Sequence, residues 1–279
     1  MLSAHLGGTL ALISDVRVWG YAFAVTLSVA LITQNEEANL RRTLESIMPL
    51  VRDGQGEIIV VDSGSIDRTL EIAASFGARI FSEKWKGFAG QKNSAIEKAT
   101  GDWVLQLDAD EALELELAGE IEQAIARNTN LAGYFIPRKN FFLGRWIKHG
   151  GFYPDPKLRL IRRGAGKFEE YGAHPTIKAS GPTGQLKHAM LHYAYPTLRG
   201  YIDHMNSYSS QGAEFAVAED QRGFSFANIV IRPLLTFVYN YFFRLGFLDG
   251  REGLLLHLYH SVYVSWKYAK IWEISRKPK

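Results

Sequence analysis

The chain has 279 residues, 47% of them apolar and 22% charged, with a formal net charge of +3, values that fit one large globular domain or one domain with a subdomain. It has no cysteine, which excludes disulfides and thiolate metal sites and fits a reducing compartment. No stretch reaches the roughly 18 uncharged apolar residues of a spanning helix, and no basic stripe with a known motif points to nucleic acid.

Residues 1–25 are moderately apolar, but Asp15 and Arg17 interrupt any signal-peptide core, so they read as an N-terminal extension without an assigned role. Thr26 to Thr33 reads as a strand. Asn35 then offers a helix cap, with Glu36 and Glu37 in the favourable first turn. Leu40, Leu44, Ile47 and Met48 follow at helical spacing, and Pro49 is expected to stop the run. Glu57 to Val61 is a second strand, ending at Asp62-Ser63-Gly64-Ser65. Asp67 can cap the next helix, whose apolar face is Leu70, Ile72, Ala73 and Phe76, and Ala78 to Phe81 makes a short third strand. A helix from about Gln91 to Ala99 precedes a fourth strand, Trp103 to Leu107, which ends in Asp108, Asp110 and Glu111. Strands separated by helices mean βαβ units and a mostly parallel sheet.

Three of these strand ends carry polar clusters: Thr33 to Glu37, Asp62 to Ser65, and Asp108 to Glu111. Parallel neighbours bring all three to one rim, where open α/β sheets bind ligands. Asp108 and Asp110, two apart, point to the same side of an extended segment. Close carboxylates repel unless a cation joins them, and hard oxygen ligands select Mg²⁺ or Mn²⁺, which would bridge to phosphate oxygens. A nicotinamide-binding domain would need Gly-x-Gly-x-x-Gly after the first strand, and Thr33-Gln34-Asn35-Glu36-Glu37 stands there instead.

With these motifs the chain resembles the family 2 glycosyltransferases of the GT-A fold. The resemblance covers Thr26 to about Tyr195. It rests on Thr33-x-Asn35-Glu36-Glu37, Val60-Val61-Asp62-Ser63-x-Ser65-x-Asp67-x-Thr69, Gly87-Phe88-x-x-Gln91-Lys92-Asn93 and Asp108-Ala109-Asp110-Glu111. Within the family it is similar to bacterial enzymes that add sugars to lipopolysaccharide core. Trp85-x-Gly87-Phe88, Gly151-x-Tyr153-Pro154-Asp155-x-x-Leu158-Arg159-Leu160 and Phe247-Leu248-Asp249-Gly250-x-x-Gly253 carry that closer likeness. The implied fold is a Rossmann-like mixed α/β sheet, mostly parallel and flanked by helices, over 26–195, with a helical appendage over 196–279.

The resemblance implies a nucleotide-diphosphosugar donor. Asp62 would accept from a uracil imide, with Thr33, Asn35, Glu37, Ser63, Ser65 and Asp67 shaping the pocket. Asp108 would contact the ribose and Asp110 the metal. Gln91, Lys92 and Asn93 would lie along the donor, with Lys92 opposing phosphate charge, and His192 would complete the metal shell. An inverting transfer also needs a group to take the acceptor hydroxyl's proton. Relatives place it after the Leu158 to Arg162 strand, in a Val-His-Glu or Glu-Asp motif. This chain has Phe168-Glu169-Glu170-Tyr171-Gly172-Ala173-His174-Pro175 there, so the expected Glu after His174 is a proline. Glu170 is the favoured base, with Glu169, Asp155 and His174 as alternatives. Arg159, Arg162 and Arg163 form a basic run that could face phosphate. Phe141, Phe142, Trp146, Phe152 and Tyr153 could line an acceptor groove.

Beyond Tyr195 the composition changes. Thr197 to about Val217 reads as an amphipathic helix, Phe224 to Phe247 is strongly apolar, and Leu254 to Trp272 adds a second apolar helix. Gly223 to Lys279 carries eight Lys/Arg against three Asp/Glu. Apolar faces flanked by basic residues suit an interfacial hairpin on an anionic leaflet. The expected function is transfer of a hexose, from a UDP-sugar, to a lipid-linked saccharide, by a peripheral protein on the cytoplasmic face of the inner membrane. A polyprenyl-phosphate acceptor and a nonenzymatic nucleotide-sugar-binding scaffold are the alternatives.

Overall fold

Runs of β-branched and aliphatic residues, wholly buried at their centres, build the middle of the sheet in this computed structural model, which describes residues 26–127, 129–169, 175–219 and 223–276. The extension 1–25 and the candidate bases Glu170 and His174 lie outside the described residues. In chain order, β1 is Leu27–Thr33, α1 Leu40–Val51, β2 Gly56–Asp62, α2 Thr69–Ser75, β3 Arg79–Ser82, α3 Gly87–Glu97 and β4 Trp103–Asp108. Then follow β5 Glu111–Leu113, α4 Leu115–Ala126, β6 Gly133–Ile136, β7 Arg138–Phe142, β8 Arg145–Trp146 and β9 Lys157–Arg162. The α/β part closes with β10 Gly166–Glu169, β11 Thr176–Ala179, β12 Thr183–Gln185 and β13 Met190–Tyr195.

The main sheet runs β12-β6-β9-β4-β1-β2-β3. β1 pairs in parallel with both β2 and β4, while β9 is antiparallel to β4 and β6, so the sheet is mixed and mostly parallel. Alternation of side chains sorts the core into two layers. Val29 and Leu31 join Leu44, Ile47 and Leu117 from α1 and α4 on one face, and Ala30 and Ile59 join Ala95 and Ile96 from α3 on the other. A second sheet, β5-β13-β7-β8, is set by antiparallel pairing of β13 with β5, with His192 opposite Glu111.

Three sequence expectations fail locally. Pro49 lies inside α1 and does not end it. It forfeits one backbone bond near the helix end, to the carbonyl of exposed Glu45, so the cost is limited. Asn35 does not cap α1 either: its φ is +56°, a left-handed conformation that Asn tolerates, and Asn39 stands at the helix start. α3 also begins at Gly87, four residues before the expected start.

The C-terminal part is α5 Leu198–Ala218, then α6 Arg232–Val238 between two π-helical turns, and α7 Gly250–Ser275. Thr197 caps α5 by accepting from Gly200 N. Phe142 and Ile147 share a core with Tyr201, Met205 and Leu256, so the helices pack directly on the second sheet. The Phe247 to Gly253 motif is the latch. Buried Asp249 accepts from Lys148 N and His149 N at 3.2 and 2.8 Å. A Cβ at Gly253 would stand 2.3 Å from Gly246 O, so only glycine allows this approach. Among the described residues no helix is long and apolar enough to cross a membrane.

Candidate active site

β1, β2 and β4 end level with one another, Thr33 opposite Asp62 and Ile32 opposite Asp108. The register thus brings the three polar clusters to one rim, as their spacing predicts.

The β1 and β2 clusters interlock. Asp62 accepts from Thr33 Oγ1 at 2.9 Å, Ser65 Oγ at 2.5 Å, and the amides of Gly64 and Ser65 at 2.8 Å. Burial opposes its ionisation, but Ser65 and these amides outweigh it and hold the carboxyl below its usual range. All four lone pairs are engaged. A uracil imide reaches Asp62 only by displacing a donor, and the Ser65 hydroxyl, which can rotate, is the replaceable one. Asn35 and Glu37 act on the backbone: Asn35 Oδ1 accepts from Ile66 N and Glu37 Oε2 from Arg68 N. Asp67 Oδ2 accepts from Glu37 N, and Ser63 N donates to Thr33 O, so each named residue of the two loops fixes the other's shape.

The Gln91-Lys92-Asn93 triplet does not lie along one groove, because consecutive helical residues point about 100° apart. Gln91 is wholly buried, and its amide has no hydrogen-bond partner among the described residues. Lys92 alone reaches the rim, 2.5 Å from Asp108 Oδ1. Burial pulls its ammonium below the usual value against the pull of Asp108. Asn93 instead holds β10, exchanging bonds of 2.9 and 2.7 Å with Phe168 O and N. That clamp sets the Phe168 ring beside Lys92, whose ammonium lies 5.3 Å from its centroid. Glu169 is half-exposed and 3.7 Å from Lys178.

From Asp108 a circuit of paired groups runs to Asp110. Arg159 Nη2 lies 2.7 Å from Asp108 Oδ2 and 2.8 Å from Glu111 Oε1. Arg138 connects Glu111, at 3.2 Å, to Asp155, at 2.7 Å. Asn140 Nδ2 donates to Asp155 Oδ2, and Asn140 Oδ1 lies 2.7 Å from His192 Nδ1. His192 Nε2 is 3.5 Å from Asp110 Oδ2. Burial opposes charge on Asp108, but Arg159 and Lys92 overcome it and hold the carboxyl well below the carboxylate range. Asp110 is lowered despite burial because His192 faces it. Glu36 moves the other way, raised by burial and by Asp110, Asp108 and Asp67.

Asp108 and Asp110, expected to share one ion, therefore differ. Asp108 is neutralised by two cations, whereas Asp110 faces only His192. An amide oxygen only accepts, so His192 Nδ1 carries a proton, and Nε2, facing Asp110, donates to it in the imidazolium or offers a lone pair to a bound cation in the neutral ring. A histidine oriented in this way beside a carboxylate fits a divalent-cation site. Asp110 and His192 are the residues that could hold the ion. Among the described residues no third His, Cys, Asp or Glu converges there.

A cavity of about 320 Å³ adjoins this pair, lined by His192, Asp155 and Asn140 on one side and Asn240, Arg244 and His260 on the other. Phe141, Phe142 and Phe152 line it, but Trp146 and Tyr153 do not. Those two pack edge-to-face at 5.3 Å, with Lys139 and Lys148 over the Trp146 ring. Arg162 and Arg163 lie away from the rim. β9 is antiparallel to β4, so Arg162 pairs with Trp103 at the far end of the sheet, and only Arg159 of the three reaches the site. Glu111, Arg138 and Asn140 were missed as site residues. Glu111 stood in the acidic motif, but nothing local marks Arg138 or Asn140.

The sequence profile of Glycosyl transferase family 2 matches residues 28–180. The chain is similar to the lipopolysaccharide core biosynthesis glycosyltransferase LpsC of Rhizobium meliloti, 29% identical over 254 residues, covering 88% of this chain and 92% of the relative. An uncharacterized glycosyltransferase of Rickettsia typhi is 28% identical, covering 91% and 89%. Among solved structures, the mannosyltransferase PcManGT of Pyrobaculum calidifontis, in complex with GDP-Man and Mn²⁺, aligns with a TM-score of 0.52 at 15% identity, over 88% of this chain and 86% of that one. This last likeness bears on the fold alone.

Proposed function

The chain belongs to Glycosyl transferase family 2 and is a glycosyltransferase of GT-A fold; from this premise we propose that it moves a hexose, with inversion, from a UDP-sugar to a lipid-linked saccharide such as lipopolysaccharide core. The observation that carries this reading is the His192–Asp110 pair, oriented by Asn140 and only partly covered at the rim. The relative from Rhizobium meliloti supports the acceptor class.

In this reading Asp110 and His192 hold Mg²⁺ or Mn²⁺, and Asp108 meets the donor's ribose. A bound divalent ion would neutralise charge on the departing diphosphate. Lys92 adds a fixed positive charge at the same place, where it lowers the barrier as the leaving oxygens gain charge. The acceptor hydroxyl attacks the anomeric carbon, the bond to the diphosphate oxygen breaks, and the hydroxyl proton passes to the base. Asp155 suits that task poorly: Arg138, Asn140 and Lys157 engage both of its oxygens and its carboxyl is held low. Glu170, with Glu169 beside it, remains the base of choice.

The exposed apolar side chains of the C-terminal helices support docking on the inner face of the membrane. Phe226, Leu235 and Phe243 are 71%, 60% and 75% exposed, and Arg232 and Arg244 stand among them.

Incubation with radiolabelled UDP-hexoses, Mn²⁺ and a membrane extract tests the proposal. Label in the core saccharide is expected. Label in polyprenyl phosphate would instead establish the alternative acceptor, and no transfer from any UDP-sugar would overturn the donor assignment.

A further inference from the structure

We propose that the cavity between the second sheet and the C-terminal helices takes an acceptor carrying an anionic group, phosphate or carboxylate, and that Arg244 recognises that group. The proposal rests on the glycosyl-transfer reading above and specifies its acceptor side.

The cavity, at about 320 Å³, lies at the small end of the ligand-site range, with room for a monosaccharide-sized group. It begins at His192 and Asp155 and ends at Asn240, Arg244 and His260, so a sugar within it stands beside the proposed metal pair. Its charges are unevenly matched. Asp155 is taken by Arg138 and Lys157, and Arg138 also binds Glu111. Burial keeps His260 below its ordinary value, hence neutral at pH 7. Arg244 is different. No carboxylate among the described residues forms an ion pair with it, and its guanidinium lies 5.8 Å from the Tyr239 ring centroid. The cavity therefore carries a positive charge that the protein leaves uncompensated.

The placement of that charge is built into the backbone. Gly150 N donates to Arg244 O at 2.8 Å, and Arg244 N to Tyr239 O at 2.9 Å. The guanidinium lies over Gly151, where a Cβ would stand 2.1 Å from Nη1. Gly151 has φ +88°, a conformation that favours glycine, and without a Cβ it leaves room for the guanidinium above it. Phe243 and Leu245, on either side of Arg244, are 75% and 45% exposed. Arg244 is exposed as well, but its guanidinium reaches over Gly151 and lines the cavity. A planar fork of donors, held at a cavity wall with the Asn240 amide nearby, suits bidentate binding of a phosphate or carboxylate. A neutral sugar would leave it unpaired.

The test titrates the full chain, with UDP and Mn²⁺ present, with glucose, glucose 6-phosphate and glucuronate, followed by saturation-transfer NMR. At least one anionic sugar is expected to bind about tenfold or more tightly than glucose, in keeping with a charge-assisted hydrogen bond. Whichever is preferred identifies the anion. Arg244→Gln should remove the preference and Arg244→Lys should keep part of it. Binding to phosphatidylglycerol vesicles is measured in parallel. The proposal is overturned if glucose binds as well as both anions, if Arg244→Gln keeps the preference, or if that variant loses only vesicle binding, which would assign Arg244 to the lipid surface. UDP titration of each protein separates a failed donor site from a failed acceptor contact.

Discussion

His192 turns its Nε2 towards Asp110, 3.5 Å from Oδ2, while Asn140 Oδ1 fixes the opposite ring nitrogen at 2.7 Å. A ring nitrogen from β13 and a carboxylate oxygen from the turn between β4 and β5 thus face the same space. The pairing of β13 with β5 creates this approach by setting His192 opposite Glu111, one residue from Asp110.

Asn140→Leu removes the group that fixes the imidazole but neither candidate ligand. It should weaken Mn²⁺ binding about 10- to 100-fold, the usual cost of losing a partner behind a ligating histidine. Calorimetry with Mn²⁺ in the presence of UDP measures this, and an unchanged affinity would remove His192 from the ion's shell.

Glu111 is wholly buried, bonds both Arg159 and Arg138, and accepts from Asp108 N at 3.0 Å. Glu111→Ala leaves two guanidinium groups under-compensated in the interior. Breaking such a buried arrangement costs about 3–5 kcal/mol. Urea denaturation should show a loss of that order, and a loss below about 1 kcal/mol would mean that water or Asp155 compensates the arginines.

The rim was legible from the sequence because its signals are local. Each strand is an apolar run, and each ends in turn-forming or acidic residues that adjacent parallel strands necessarily align. The circuit behind the rim was not legible. Arg138, Asn140 and Asp155 reach Glu111 and His192 only through the pairing of the second sheet, which no short pattern encodes. Arg162 shows the same limit. It stands three residues from Arg159, yet the antiparallel course of β9 carries it to the far end of β4 beside Trp103. Asn35 misled for a different reason: its side chain suits both a helix cap and a left-handed turn, and contacts with the β2 loop decide between them.

Glu57 predicts an acid-sensitive stitch at the other end of the sheet. Against the opposing effect of burial, Ser28, Thr100 and Arg79 lower its carboxyl from 4.5 to about 2. A carboxyl lowered in the folded state stabilises fully above its unfolded value and loses that contribution as pH falls towards the folded one. Glu57→Gln should therefore cost up to about 3 kcal/mol at neutral pH. The difference from wild type should shrink between pH 4.5 and 2. Denaturation curves across that range measure it, and a gap that persists at pH 2 would trace the loss to packing.

Leu235 and Phe243 are largely exposed, so replacing both with Asp should alter folding stability by no more than about 0.5 kcal/mol each. Burying each in a bilayer interface is worth on the order of 1.5–3 kcal/mol. The double variant should thus bind phosphatidylglycerol-containing vesicles at least about tenfold more weakly. Flotation assays supply the measurement. Equal binding by both proteins would place the membrane contact elsewhere or remove it.

The proton acceptor is separable from the residues that merely surround the acceptor. Asp155 is bound by Arg138, Asn140 and Lys157, which lower its carboxyl despite burial. A group already stabilised as its anion gains little by taking a proton. Asp155→Asn should raise KM for the acceptor, because Arg138 and Asn140 lose their anchor, while leaving the low-pH limb of kcat in place. Glu170→Gln should instead lower kcat about 100- to 10,000-fold, the usual contribution of a positioned general base, and abolish that limb. UDP affinity should change little in Glu170→Gln, since the proposed donor contacts come from the interlocked β1 and β2 loops. The assignment passes to Glu169 if Glu170→Gln retains kcat and Glu169→Gln does not. It passes to Asp155, against the geometry, if only Asp155→Asn removes the limb.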